Sequence, residues 1–210
     1  MKHNIPIDRW DRASAFRHFI RYSDPYFGVC TELDFTAAYA RAKDLKVSFF
    51  LYYFYLSLAA ANGIPEFRIR LEKDTPVIYD RVHGSPTLLR NDGGLGFAML
   101  EYRDSFGDFL KDAGPEMARV KAQTGLDASK DCPDTIYYSI LPWIRFTSVS
   151  HPLDLPRSEG VPILSFGKLC EEHGRRVMPV GVHAHHALMD GMHIGRFLED
   201  FQARLNASSV

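Results

Sequence analysis

Apolar positions along this chain recur with two periods, and the switches between them mark out its elements. Ala37, Ala38, Ala40 and Ala42 fall at helical spacing between Thr36 and Asp44, where Asp34 or Thr36 can cap the first turn. Val47 to Ala61 is apolar on most faces and stops at Asn62-Gly63 ahead of Pro65, which predicts a buried helix. It carries Ser48, Ser57, Tyr52, Tyr53 and Tyr55 and falls short of the ~20 residues that span a bilayer. From Phe67 the pattern changes to short runs between turns: 68–71, 76–79, 87–89, and 97–102 after Asn91-Asp92-Gly93-Gly94. Asp104 or Ser105 opens a helix to about Thr124, with Phe106, Phe109, Leu110, Met117 and Val120 on its apolar face and a kink expected at Gly114-Pro115. After a polar loop from Gly125 to Pro133, strands are predicted at 135–141, 144–149, 162–169 and 176–186, and a last helix at 191–205. The prediction is an α+β fold, a single domain over 1–210, with a mostly antiparallel or mixed sheet and helices packed on it.

Composition narrows the function without naming it. Hydrophobic residues make up 46% and charged residues 24%, enough to fill a core. A formal net charge of -1 supplies no general drive toward nucleic acid. Cys30, Cys132 and Cys170 are odd in number and far apart, which suggests neither a zinc-type pair nor a disulfide framework. Reduced thiols, and a polar segment from Met1 to Trp10 without a secretory pattern, lead to the expectation of a cytoplasmic protein with no membrane partner.

His183, His185, His186 and His193 crowd one stretch, so a metal must be weighed first. On a strand His183 and His185 share one face while His186 points to the other, and no HExxH spacing or cysteine accompanies them. No metal is expected. His186 stands four residues ahead of Asp190-Gly191, where a strand hands over to a helix, and an imidazole there is a candidate general base. Asp190 can cap the last helix or pair with a cation from elsewhere, for which Arg12 is the candidate. There is no Gly-x-Ser-x-Gly, and Asn91 to Phe97 reads as a hairpin turn rather than a phosphate loop. A histidine acting on a substrate hydroxyl fits better than covalent catalysis.

The stretch from His185 to Arg196, HHALMDGMHIGR, resembles the HHxxxDG signature of the chloramphenicol acetyltransferases. Trp10-Asp11-Arg12 resembles their Trp-x-Arg, Pro65-Glu66-Phe67-Arg68 their Pro-Glu-Phe-Arg, and Ser139-Ile140-Leu141-Pro142-Trp143 their Ser-x-x-Pro-Trp. Pro162 to Lys168 falls in step with a further strand, so five segments in family order cover nearly the whole chain. The resemblance implies a CoA-dependent acyltransferase built as a two-layer sandwich. It implies a homotrimer with active sites at subunit interfaces, acetyl-CoA as co-substrate rather than a tightly bound cofactor, and a small hydroxylated acceptor. On the matching positions His186 would be the base and Ser139 the donor to the oxyanion. Asp190 and Arg12 would form an internal ion pair beside Gly191. Ser165 would assist the transition state through water, and Lys168 would meet a CoA phosphate.

The acceptor pocket is where the chain departs from that pattern. Phe16, His18 and Phe19, with Val149 and His151, occupy the corresponding stretches and make the pocket more polar than chloramphenicol would require. Chloramphenicol is the leading acceptor. Another hydroxyl compound, or a relative that binds without catalysing, are the alternatives.

Overall fold

The computed structural model describes residues 1–125, 132–154 and 159–207. The chain opens with strand β1 (Lys2–Asn4), helix α1 (Ala13–Phe19) and strand β2 (Tyr26–Asp34). Helices α2 (Thr36–Asp44) and α3 (Phe49–Gly63) follow, then a 3-10 turn at Pro65–Arg68. Four strands come next, β3 (Ile69–Glu72), β4 (Thr75–Tyr79), β5 (His83–Leu89) and β6 (Leu95–Phe97), ahead of α4 (Phe106–Ala122). The last third holds β7 (Thr135–Ile140), β8 (Ile163–Phe166), β9 (Cys170–Glu172), β10 (Arg175–His185) and α5 (Gly191–Asn206).

Two sheets form. The larger runs β2-β10-β8-β7-β5-β6, with β9 also paired to β10, and the smaller runs β1-β4-β3. The β7 pairings with β5 and β8 are parallel and the other described pairings are antiparallel, which makes the large sheet mixed. Strand residues alternate between faces. Ile136, Tyr138, Leu164, Phe166, Val180, Val182 and Ala184 share one face with the apolar sides of α2, α3, α4 and α5 and make the main core. Helix α3 is buried on nearly every side, and Ser48 caps it by accepting a hydrogen bond from the Leu51 amide. It settles onto β5 because residue 84 is glycine: a Cβ there would lie 2.4 Å from the Phe54 ring. A second, smaller core of Phe16, Ile69, Leu71, Ala187 and Leu188 joins α1 and the small sheet to the turn that follows β10.

Several expectations need correction. Residues 144–149 are not a strand: they run irregularly across the helix-free face of the large sheet, with the Val149 side chain against Gly181. The strand expected at 97–102 ends at Phe97, beyond which a lone bridge joins Leu100 to Gly84. The residue flanking α2 is Phe35, with no side-chain cap; Asp34 instead accepts from the amide of Thr36 at 2.9 Å. Strand β2 and helix α1 were not assigned from the pattern. Residues 126–131 of the expected polar loop lie outside the described residues.

Candidate active site

Strand β10 ends at His185, and the next five residues turn the chain into α5. The amides of Leu188 and Met189 both donate to the His185 carbonyl, at 2.9 and 3.1 Å. Ala187, Leu188 and Met189 are fully buried, so the turn is fixed by packing. His186 is half-buried at its apex, and its amide donates to the Pro25 carbonyl at 2.8 Å. The imidazole lies flat on Phe19, with centroids 3.9 Å apart and planes 7° apart, and tilts over Phe27 at 4.5 Å. Its Nδ1 is buried without a hydrogen-bond partner among the described residues. With a proton held there, Nε2 keeps the lone pair a base needs.

Asp190 sets the position of this turn. One oxygen, Oδ1, accepts from the Met192 amide at 3.0 Å and caps α5; the other, Oδ2, lies 2.5 Å from Arg12 Nη1. Arg12 Nη2 also donates to the His186 carbonyl at 3.1 Å, so a single guanidinium grips both the cap and the backbone of His186. Burial alone would raise the Asp190 pKa, but the Arg12 hydrogen bond and the charges of His193 and Arg12 outweigh it and hold the carboxyl below its usual range. Gly191 is the first residue of α5, with open space where a side chain would project. His185 is buried, its Nδ1 accepting from the Ala187 amide at 3.2 Å. Burial, then repulsion from His186, lowers its pKa to about 4, against a smaller opposing pull from Asp24.

A second polar cluster lies on the helix-free face of the large sheet. Cys30, Gly181, Ser165 and Ser139 stand in one row across β2, β10, β8 and β7. His151 reaches down onto it, its Nε2 2.8 Å from Ser165 Oγ, and meets the His183 ring edge-on at 5.5 Å. His183 lies against β2 at Gly28, where a Cβ would come within 2.7 Å of the ring. Burial lowers the pKa of both His151 and His183. A cavity of about 350 Å³ opens beside them, lined by Cys30, Val149 and His183 among others.

The chain keeps the two clusters apart. Along β10, Gly181 to His186 is a rise of roughly 16 Å at ~3.3 Å per residue, and Ser139 is two strands further across the sheet. A base and an oxyanion donor that serve one carbonyl each approach it to ~3 Å. His186 and Ser139 of the same chain therefore do not face one acetyl group.

The predicted pocket residues divide in the same way. Phe19 stacks on His186 and His18 packs on Phe19, whereas Val149 and His151 belong to the second cluster. Phe16 is buried in the smaller core. Lys168 is exposed just past β8. His183, His185 and His193 turn to different partners, and among the described residues no group of three potential ligands could hold a metal ion. Sequence reasoning missed Phe27 as a wall of the imidazole and His183 as a lining residue. The signal for both lay in β2, whose Gly28 sits opposite His183.

Known proteins match the chain over nearly its whole length. A family model described as chloramphenicol acetyltransferase matches residues 1–202. A chloramphenicol acetyltransferase of Bacillus pumilus is 27% identical over 190 residues, 90% of this chain and 86% of that protein. A solved chloramphenicol acetyltransferase superposes with a TM-score of 0.87 at 29% identity, covering 98% of this chain and 100% of the other. The truncated catalytic core of a 2-oxoacid dehydrogenase complex from Thermoplasma acidophilum shares the fold, with a TM-score of 0.69 at 17% identity over 99% and 97% of the two chains. The locked histidine turn, the mixed sheet and the extent of the match together lead to one assignment: the chain belongs to the chloramphenicol acetyltransferase family and is an acyltransferase of that type.

Proposed function

We propose that this protein moves the acetyl group of acetyl-CoA onto a hydroxyl of chloramphenicol, working as a cytoplasmic homotrimer and thereby giving resistance to the antibiotic. His186 Nε2 takes the hydroxyl proton as the oxygen attacks the thioester carbonyl. The Ser139 hydroxyl, from a neighbouring copy, donates to the oxyanion, and Ser165 assists through water. Collapse of the tetrahedral intermediate breaks the carbon–sulfur bond, and the thiolate recovers the proton from His186 to leave as CoA. Lys168, exposed beyond β8, meets a CoA phosphate.

The observation that carries this reading is the double grip of Arg12 on Asp190 and on the His186 carbonyl, which holds the backbone under the imidazole at a fixed turn. The separation of His186 from Ser139 supports an active site shared between copies. Reduced thiols at Cys30 and Cys170, which form no disulfide, support the cytoplasmic placement. No helix among the described residues is long and apolar enough to cross a membrane. A more hydrophilic alcohol is the second reading for the acceptor, favoured by the His151–Ser165 contact and the His183 wall.

The test is thiol release from acetyl-CoA by purified protein with chloramphenicol. Wild type should release CoA, His186→Ala should be silent, and Ser139→Ala should be slowed by about 10²–10³-fold. Turnover of another alcohol but not chloramphenicol would change only the acceptor. Acetyl-CoA binding without turnover across a panel of hydroxyl compounds would refute the transferase reading.

A further inference from the structure

Two residues of the family motifs have no part in the chemistry above: Glu66, in the Pro65–Arg68 turn, and His193, in the first turn of α5. The fold brings them together. Phe67 is fully buried with its ring 4.7 Å from Phe197 of α5, and Arg68 ties the same turn to the end of β4 through the carbonyls of Tyr79 and Asp80. Anchored on both sides, the turn places Glu66 Oε1 3.4 Å from His193 Nε2. The other ring nitrogen, Nδ1, lies 2.9 Å from Asp190 Oδ1 and 3.2 Å from the Asp190 amide nitrogen. His193 is only 4% exposed, so water does not compete freely for these contacts.

We infer that Glu66 and His193 are positioning residues for His186, forming a line from Glu66 through His193 and Asp190 to Arg12 that ends on the carbonyl of the base. The inference rests on the reading of His186 as that base. Asp190 can hold Arg12 only while its carboxylate keeps one orientation, because rotation about its last torsion would carry Oδ2 away from the guanidinium. His193 holds the backbone beneath that carboxylate, its Nδ1 accepting from the Asp190 amide. A lone imidazole could flip and present carbon where nitrogen is needed, but partners on both nitrogens select one ring orientation. Glu66 is the second partner. The Pro-Glu-Phe-Arg turn thereby gains a purpose: Phe67 and Arg68 fix the segment, and Glu66 fixes the ring.

The test uses the full-length protein. Glu66→Gln keeps the shape of the side chain, and His193→Phe keeps a ring in the same space. Each should lower kcat for CoA release by about tenfold, because Glu66→Gln removes the charge facing Nε2 and His193→Phe removes the acceptor of the Asp190 amide. KM for acetyl-CoA and for the acceptor should move by less than about twofold. Activities are normalised to the folded fraction by acetyl-CoA binding stoichiometry, so loss of folded protein does not count as loss of kcat. The double variant should be no slower than His193→Phe alone, since the line is already broken. His193→Asn, whose amide can replace Nδ1 toward Asp190, should recover part of kcat. A second readout needs no turnover: the imidazole nitrogen resonances of His186, assigned against His186→Ala, should shift in Glu66→Gln. If His193→Phe does not fold, Glu66→Gln decides alone. Unchanged kcat, additive losses, or unmoved His186 resonances with only thermal stability reduced would overturn the inference. If wild type releases no CoA with any acceptor, the transferase reading falls, and the resonances still judge the line.

Discussion

His185 should make the fold acid-sensitive in a defined window. Its ring is buried and accepts a hydrogen bond from the Ala187 amide, an arrangement that requires a neutral Nδ1. Burial, with a further contribution from His186, brings its pKa to about 4, whereas an unfolded histidine titrates near ~6.5. Between those values the unfolded chain binds the proton and the folded chain does not, so stability declines as pH falls through the window and this contribution levels off below it. At ~1.4 kcal/mol per pH unit, the loss from this one ring comes to about 3 kcal/mol. Burial of His83, His151 and His183 acts in the same direction, so wild type alone cannot isolate the effect. His185→Asn can: the amide oxygen still accepts from Ala187 but does not titrate. Urea unfolding at fixed protein concentration, at about pH 7 and about pH 4, should show the variant losing about 3 kcal/mol less than wild type. Parallel losses in the two proteins would refute the reasoning.

The remaining predictions concern single contacts. Arg12→Met removes the cation from Asp190, whose side chain is 33% exposed while that of Arg12 is 12% exposed. The expected loss is about 2 kcal/mol, between the ~3–5 of a broken buried pair and the ~1 or less of an exposed one, measured by chemical denaturation. Gly28→Ala places a methyl within 2.7 Å of the His183 ring, which must move; the acceptor KM should rise while thermal unfolding stays within a few degrees of wild type. Gly84→Ala drives a methyl into Phe54 in the main core, and a loss of about 1–3 kcal/mol in denaturant unfolding is expected.

Elements with a strong pattern of their own were legible in the sequence. Helix α3 showed itself as a continuous apolar run with a stop signal, and α5 through Asp190 and the spacing of Ile194, Phe197 and Phe201, all buried. Strand β2 was not legible. It is an edge strand whose two faces meet different surroundings, and Gly28 and Cys30 in its middle answer to His183 and to residues 147–150, far away in sequence. The reverse error at 144–149 has a related cause: Ile144 and Val149 looked like strand residues, yet the segment lies across a sheet face instead of joining its edge. At the candidate site, local spacing singled out His186 and Asp190. The contact between Arg12 and Asp190 spans 178 positions along the chain, so no local pattern could establish it.

The distance between His186 and the Ser139 row has a consequence for mixtures of damaged chains. In the proposed assembly each catalytic centre borrows its histidine from one subunit and its serine from the next. Two inactive proteins, one lacking His186 and the other lacking Ser139, would then complement each other when refolded together, because some junctions in the hybrids would unite an intact half from each parent.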